Sequence, residues 1–301
     1  MSETRQFVHK DYTVGWICAL PQTELVAATA MLDKEHPILP AADPKDKNSY
    51  ILGEIGTHKI VIACLPSQAT GKVSAATVAN DMLRSFPSVR FGLMVGIGGG
   101  APYYPEQQAK GDDSEADDDD EETRDIRLGD VVVSENTKSS EAVVQYDFGK
   151  SLQGRGFVHM GGKLDKPPLI VRAGVSGLQA KHKLGGNKIR ELLDEILEKY
   201  PNIAGEFRFP ASARDRLFKS NVVHVDKKKS CKVCCGTDNV NLVKRNLRHG
   251  ADPHIHYGTI GSADDMMKDA ILRDKWAREE NIICFEMRAA GQFDSLRQWH
   301  F

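Results

Sequence analysis

Apolar residues fall into short, dense runs separated by stretches of helical spacing or of polar residues. Residues 12–20 (YTVGWICAL) are rich in β-branched and aromatic side chains and predict a buried strand. Residues 24–32 (ELVAATAML), dominated by Ala and Leu, predict a helix after it. Residues 50–55 and 58–65 (HKIVIACL) predict paired strands joined by a tight turn at Gly56-Thr57. Residues 73–86 carry apolar side chains at helical spacing behind Gly71. Residues 89–96 (VRFGLMVG) predict another buried strand, running into Gly98, Gly99 and Gly100.

The pattern then breaks. Residues 106–124 contain EADDDDEE and almost no apolar side chain. Like charges at that density repel one another and cannot bury surface, so the stretch reads as a solvated or disordered insertion. It lacks the Gly turn and ligand spacing of a calcium loop. Beyond it, strands are predicted at 128–134 (LGDVVVS), 142–149 (AVVQYDFG), 221–225, 255–260 and 282–286 (IICFE). Helices are predicted at 188–200 and 265–281, with a further one starting at MRAAG (287–291). Strands alternating with helices imply an α/β fold, a three-layer α/β/α sandwich with a central mixed, largely parallel sheet. One domain over residues 12–291 is expected, with an N-terminal tail at 1–11 and a divergent end at 292–301.

Composition narrows the partners. With 301 residues, 41% hydrophobic and 27% charged, the chain can bury a sizeable core. A formal net charge of -2 leaves no basic excess for nucleic acid. No apolar run is long enough to span a bilayer, and the opening MSETRQFVHKDY lacks the apolar stretch of a signal peptide. A soluble, cytoplasmic protein without membrane or nucleic-acid partners is therefore expected. Cys18, Cys64 and Cys284 lie inside apolar, strand-like runs and read as small buried hydrophobes. Cys231-x-x-Cys234-Cys235, followed by His249, His254 and His256, has a spacing compatible with zinc. Its second half is irregular and KKKSCKVCCG is loop-like, so it reads as a solvated loop with free thiols, and no metal ligand is assigned.

Ligands of open parallel sheets gather at the carboxyl ends of the strands, and four positions fall there. Gly71 opens a helix whose free backbone N–H groups favour an anion or polar ligand; the spacing is neither a Walker A nor a Gly-x-Gly-x-x-Gly loop, and a plain strand-to-helix turn also explains it. Gly98, Gly99 and Gly100 allow a ligand close to backbone, or form a flexible turn. Glu286 ends a buried strand, where it can hold ligand hydroxyls or simply complement a helix N-terminus. Glu24 follows the first strand, where it can orient a water or act as a general base, or again only start a helix.

The ordered set WICALPQTELVAATAML, ATGKVSAATVA, FGLMVGIGGGAP, RLGDVVVS, VVQYDFGK, HYGTIGSADDMMKDA and CFEMRAAG resembles the nucleoside phosphorylase domain of filamentous fungi. More distantly it is similar to methylthioadenosine/adenosylhomocysteine nucleosidases. The resemblance runs over residues 12–291. It implies a purine nucleoside of adenine type as ligand, and cleavage of its N-glycosidic bond by water or by inorganic phosphate as co-substrate. It implies no cofactor, and a domain commonly found as a homo-oligomer. It implies that Glu24 orients the water and touches the ribose side, and that Gly71, Gly98 and Gly99 line the nucleophile and purine region. Asp264, Asp265 and Met266 would lie beside the base, and Glu286 and Met287 under the ribose.

Three departures stand against that pattern. The stretch between Leu20 and Ala27 is one residue longer than usual. A second glutamate that grips the ribose hydroxyls in the family is Arg288 here, which has no acceptor and repels a cation-like sugar. The family continues into a strand whose Asp helps protonate the leaving purine, whereas this chain closes on FDSLRQWHF. The expectation is thus a C-terminally truncated relative: a nucleosidase or phosphorylase, or alternatively an impaired one that serves as a nucleoside-binding or assembly module.

Overall fold

The computed structural model describes residues 6–67, 71–104, 123–137, 140–154, 156–161, 166–210, 215–236, 239–248 and 252–290. The first apolar run forms β1 (Val14–Cys18), and all five of its residues are buried. It lies inside a five-stranded sheet with β2 (Lys34–His36), β3 (Tyr50–Ile55), β4 (His58–Cys64) and β5 (Phe91–Met94), in the order β2-β3-β4-β1-β5. β1 runs parallel to β4 and β5, while β3 pairs antiparallel with β2 and β4. The β3–β4 turn is the expected one: Ile55 faces His58, and Gly56 takes φ +57°, a left-handed value glycine adopts without strain.

Period-two alternation sends side chains of this sheet to both faces. On one face Ile17, Val61 and Ala63 pack with Val78, Ala79 and Met82 of α2 (Gly71–Ser85). On the other, Trp16, Cys18, Ile60 and Ile62 pack with Ala28 of α1 (Val26–Ala30) and with Leu32. Burial on both faces explains why β1 reads as one continuous apolar run.

A second five-stranded sheet is built from β6 (Gly99–Gly100), β7 (Val131–Ser134), β8 (Val143–Gln145), β11 (Ile255–Ser262) and β12 (Ile282–Glu286). β11 is parallel to β7, β8 and β12, and β6 is antiparallel to β12. Between β8 and β11 the chain forms a hairpin of β9 (Gly149–Leu152) and β10 (Gly156–His159), then α3 (Leu169–Gly185), α4 (Ile189–Lys199), α5 (Ala204–Phe207) and α6 (Cys231–Cys234). α7 (Ala270–Glu279) lays Trp276 and Ala277 against Tyr146, Ile282 and Phe285.

Asp130 fastens β7 to β11. Its side chain is fully buried and accepts from the Arg127 N–H (2.9 Å), the His254 N–H (3.0 Å), both terminal nitrogens of Arg248 (2.6 and 2.9 Å) and His256 Nε2 (2.9 Å). Burial would push this carboxyl up. Its hydrogen bonds from His256, Arg248 and the two backbone N–H groups outweigh burial and hold it well below the usual carboxylate range. His256 bonds Asp130 through its ring and His254 through its backbone N–H, the histidine grouped with the cysteines is His224, and His249 lies outside the described residues.

The mixed α/β architecture agrees with the sequence, but the single central sheet does not appear as one ladder; the strands divide between two sheets. Helix 265–281 starts only at Ala270, because the Asp269 carboxylate caps the Ile271 and Leu272 N–H groups at 2.9 and 3.0 Å. No strand forms at 221–225, where Val223 and Val225 are exposed. The run 142–149 divides into β8 and the start of β9. α3 went unpredicted: it carries Gly174 and Gly177, which weaken its helical signal. Nearly all of the acidic insertion falls outside the described residues, but its flanks meet in a bridge, with Tyr103 and Arg124 exchanging backbone hydrogen bonds at 2.9 Å. Among the described residues no helix is long and apolar enough to cross a membrane.

Candidate functional site

The end of β1 is held by Glu24. Pro21 opens a single π-type turn, Pro21–Leu25, that swings Glu24 back over the strand end. Its Oε2 accepts the Ala19 and Leu20 N–H groups at 2.7 and 3.1 Å, and its Oε1 accepts the Ile97 N–H at 2.9 Å. The last bond ties the end of β1 to the loop after β5. Gly96 makes that approach feasible, since a Cβ there would stand 2.6 Å from Glu24 Oε1. Arg288 completes the group, with Nη1 3.8 Å from the same oxygen and Nε buried without a hydrogen-bond partner.

Glu286, at the end of β12, turns onto its own chain. Its oxygens accept the Arg288 N–H at 2.7 Å and the Ala289 N–H at 2.9 Å, capping the helical turn that follows. Ser262, at the end of β11, accepts the Ala290 N–H at 3.1 Å. Gly98, Glu286 and Arg288 line a cleft of about 1440 Å³ between the open edge of β5 and that of β7, roofed by the first turns of α3. Cations on its wall include Arg172, Arg216 and Arg245 beside Arg288.

A second constellation forms at the start of α2. Gly71 takes φ +83°, and a Cβ there would stand 2.8 Å from Asp264 Oδ1. That oxygen accepts the Lys72 N–H at 3.1 Å, so the anion position expected at this helix start is taken by the chain's own carboxylate. Lys72 Nζ lies 2.9 Å from both oxygens of Asp147 and 3.3 Å from Asp264 Oδ2. Asp147 also accepts from the Asp264 N–H and from Gln145. Burial opposes its ionisation, yet the Asp264 N–H, the Lys72 ammonium and Gln145 together keep its carboxyl below the ordinary value.

Of the residues singled out in the sequence, Gly98, Glu286 and Arg288 thus line the cleft, Glu24 lies buried behind the wall that Gly96 and Ile97 give it, and Gly71 and Asp264 meet at the α2 start. Gly99 pairs with Phe285 in β6 and does not line the cleft. The Asp265 carbonyl accepts from Tyr146 Oη at 3.2 Å, Met266 is largely exposed, and Met287 is half-buried; none of them lines the cleft. Sequence reasoning missed Gly96, Lys72, Asp130 and Asp147. Lys72 and Asp147 stood in the quoted segments ATGKVSAATVA and VVQYDFGK, but only the fold opposes them. Cys18 and Cys284 are buried and Cys64 half-buried, and burial pushes the Cys284 thiol up to about 12, which makes it inert.

No family model matches the chain. It is 39% identical over 282 residues to a nucleotide-binding leucine-rich repeat (NLR)-like protein from Hyaloscypha variabilis, a match that covers 94% of this chain but only 25% of that protein. Among solved structures it is similar to the 5'-methylthioadenosine/S-adenosylhomocysteine nucleosidase of Neisseria meningitidis, at 15% identity and TM-score 0.47 over 95% of this chain and 80% of that one. It is also similar to the futalosine hydrolase of Helicobacter pylori, at 14% identity and TM-score 0.45 over 97% and 81%. Likeness of this degree assigns no activity to the chain.

Proposed function

We propose that the chain binds a purine nucleoside, of adenine type, in the cleft at the ends of β1, β5 and β12, and that its chemistry is cleavage of the N-glycosidic bond. The observation that carries this reading is the Glu24 carboxylate, fixed directly behind the cleft wall formed by Gly96 and Ile97. Its three backbone donors hold it oriented, and a carboxylate offers about four acceptor positions. In this reading the remaining acceptor position takes a water or a ribose hydroxyl. In the reaction the C1′–N bond breaks, the base leaves with the electron pair and takes up a proton, and the sugar carbon gains the oxygen of water or phosphate. The resemblance to nucleoside phosphorylases and nucleosidases supports this choice of substrate. Asp264 at the start of α2 repels an inorganic phosphate there, which favours water as the nucleophile.

A second reading is favoured by the Arg288–Glu24 approach of 3.8 Å. A cation beside Glu24 opposes positive charge developing on the sugar, so the domain would bind the nucleoside without turning it over. Binding within a longer polypeptide fits the quarter-length match to the NLR-like relative.

Purified protein incubated with adenosine, methylthioadenosine, inosine and ATP, with and without phosphate, separates the two by chromatography of free base and calorimetry of binding. Base release supports cleavage, and its phosphate dependence names the nucleophile. Binding without release supports the second reading. Neither, from folded protein, overturns both.

A further inference from the structure

Residues 215–248 make a long excursion before β11, tied at its ends by Arg245 to Asp215 and Arg248 to Asp130 but with little to hold its middle. Among the described residues of this stretch only Cys235 is buried, while Val223, Val225, Val233 and Val240 are exposed. Regular structure is limited to the single turn α6, a short 3-10 turn at Asn239–Asn241 and the bridge between Phe218 and Leu242. A segment without a core of its own needs a staple.

Three side chains converge at its centre. The potential ligand atoms of His224, Cys231 and Cys235 all lie within 4.8 Å of one another. Cys235 Sγ is 3.4 Å from His224 Nδ1. Two donors bonded to one tetrahedral zinc, at roughly 2.3 Å for sulfur and 2.0 Å for nitrogen, stand about 3.5 Å apart. The thiols are free, and Cys231 is exposed enough for an ion to enter. Cys234, three residues after Cys231 on the same turn, sends its Sγ to the Asp226 carbonyl at 3.6 Å.

We propose that His224, Cys231 and Cys235 bind a zinc ion that fixes this excursion, the fourth position being filled by solvent or by Cys234. Two thiolates and an imidazole are soft donors that select zinc over calcium or magnesium. The histidine is not one of those that follow the cysteines in sequence: it precedes them by seven residues, and the turn at Lys227–Lys229 folds it back.

The test uses the whole chain, purified without metal-affinity resin or chelator. Elemental analysis should find roughly one zinc per chain. The chelator-stripped protein titrated with Co²⁺ should develop sulfur-to-cobalt charge-transfer absorption and the intense visible bands of a tetrahedral site. The C231S/C235S double variant should lose both. As a readout that needs no variant, zinc should protect Cys231 and Cys235 from alkylation, with chelator exposing them and buried Cys18 and Cys284 unaffected. Folded protein that retains no zinc, gives no cobalt bands and alkylates equally with and without metal would overturn the proposal, as would bands that survive in the double variant. None of these readouts involves a nucleoside, so failure here leaves the proposed function standing, and the reverse.

Discussion

Arg288 Nη1 stands 3.8 Å from Glu24 Oε1, joining the end of the last described strand to the turn after the first. One residue comes from each extremity of the domain, and the loop through Gly96 and Ile97 lies against them. Glu24 therefore has a structural task, and variants can separate it from the chemical one proposed for it.

Glu24→Gln keeps the size and one acceptor oxygen. Under the cleavage reading it should lower base release by about 10²-fold or more while nucleoside binding changes little. Glu24→Ala should in addition destabilise the protein by about 2 kcal/mol or more, because three backbone N–H groups lose their acceptor. Single-turnover assays and thermal unfolding read the two effects apart.

Arg288→Glu replaces the cation with an acceptor. Affinity for a ribonucleoside over its 2′,3′-dideoxy analogue should rise about tenfold or more, the scale of a hydrogen bond to a charged group. Equal affinities for the two ligands, measured by calorimetry, would remove Arg288 from the sugar side of the cleft.

Gly96→Ala sets a methyl 2.6 Å from Glu24 Oε1 and must displace the carboxylate or the loop. A stability loss of about 1–3 kcal/mol is expected, with base release or binding falling alongside. Gly56→Ala is the control: unlike Gly96 it takes a positive φ, +57°, but nothing lies near its added methyl. It should cost only about 1–2 kcal/mol of backbone strain and leave ligand binding intact.

Asp130 should govern acid stability. Its folded pKa is depressed, so its contribution is complete above the unfolded value near 4 and is lost as pH falls through the lower folded value. Asp130→Asn should cost about 3 kcal/mol at neutral pH, by leaving Arg248 without its buried partner. The difference from the parent protein should shrink below about pH 4 in denaturant titrations.

The strongly apolar runs were legible because burial on both faces of a sheet leaves no polar position to blur them. β1, β3, β4, β11 and β12 sit where the sequence placed them, give or take a residue or two at the ends. α3 was not legible because Gly174 and Gly177 weaken its helical signal, whereas α4, which buries no residue either, keeps a clear amphipathic pattern. The strand expected at 221–225 failed because β-branched residues in a polar loop have propensity but no sheet to join.

The sequence by itself determined the α/β class, the main strands, and the strand-end positions of Gly71, Glu24 and Glu286, because local propensity and burial are written into short windows. Only tertiary structure decided what those groups touch. It turned Glu286 onto its own helix start, opposed Glu24 to Arg288, filled the start of α2 with Asp264, and brought His224 rather than a later histidine to the cysteines. Partners tens to hundreds of residues apart are chosen by packing of whole elements, and no local window of sequence contains that choice.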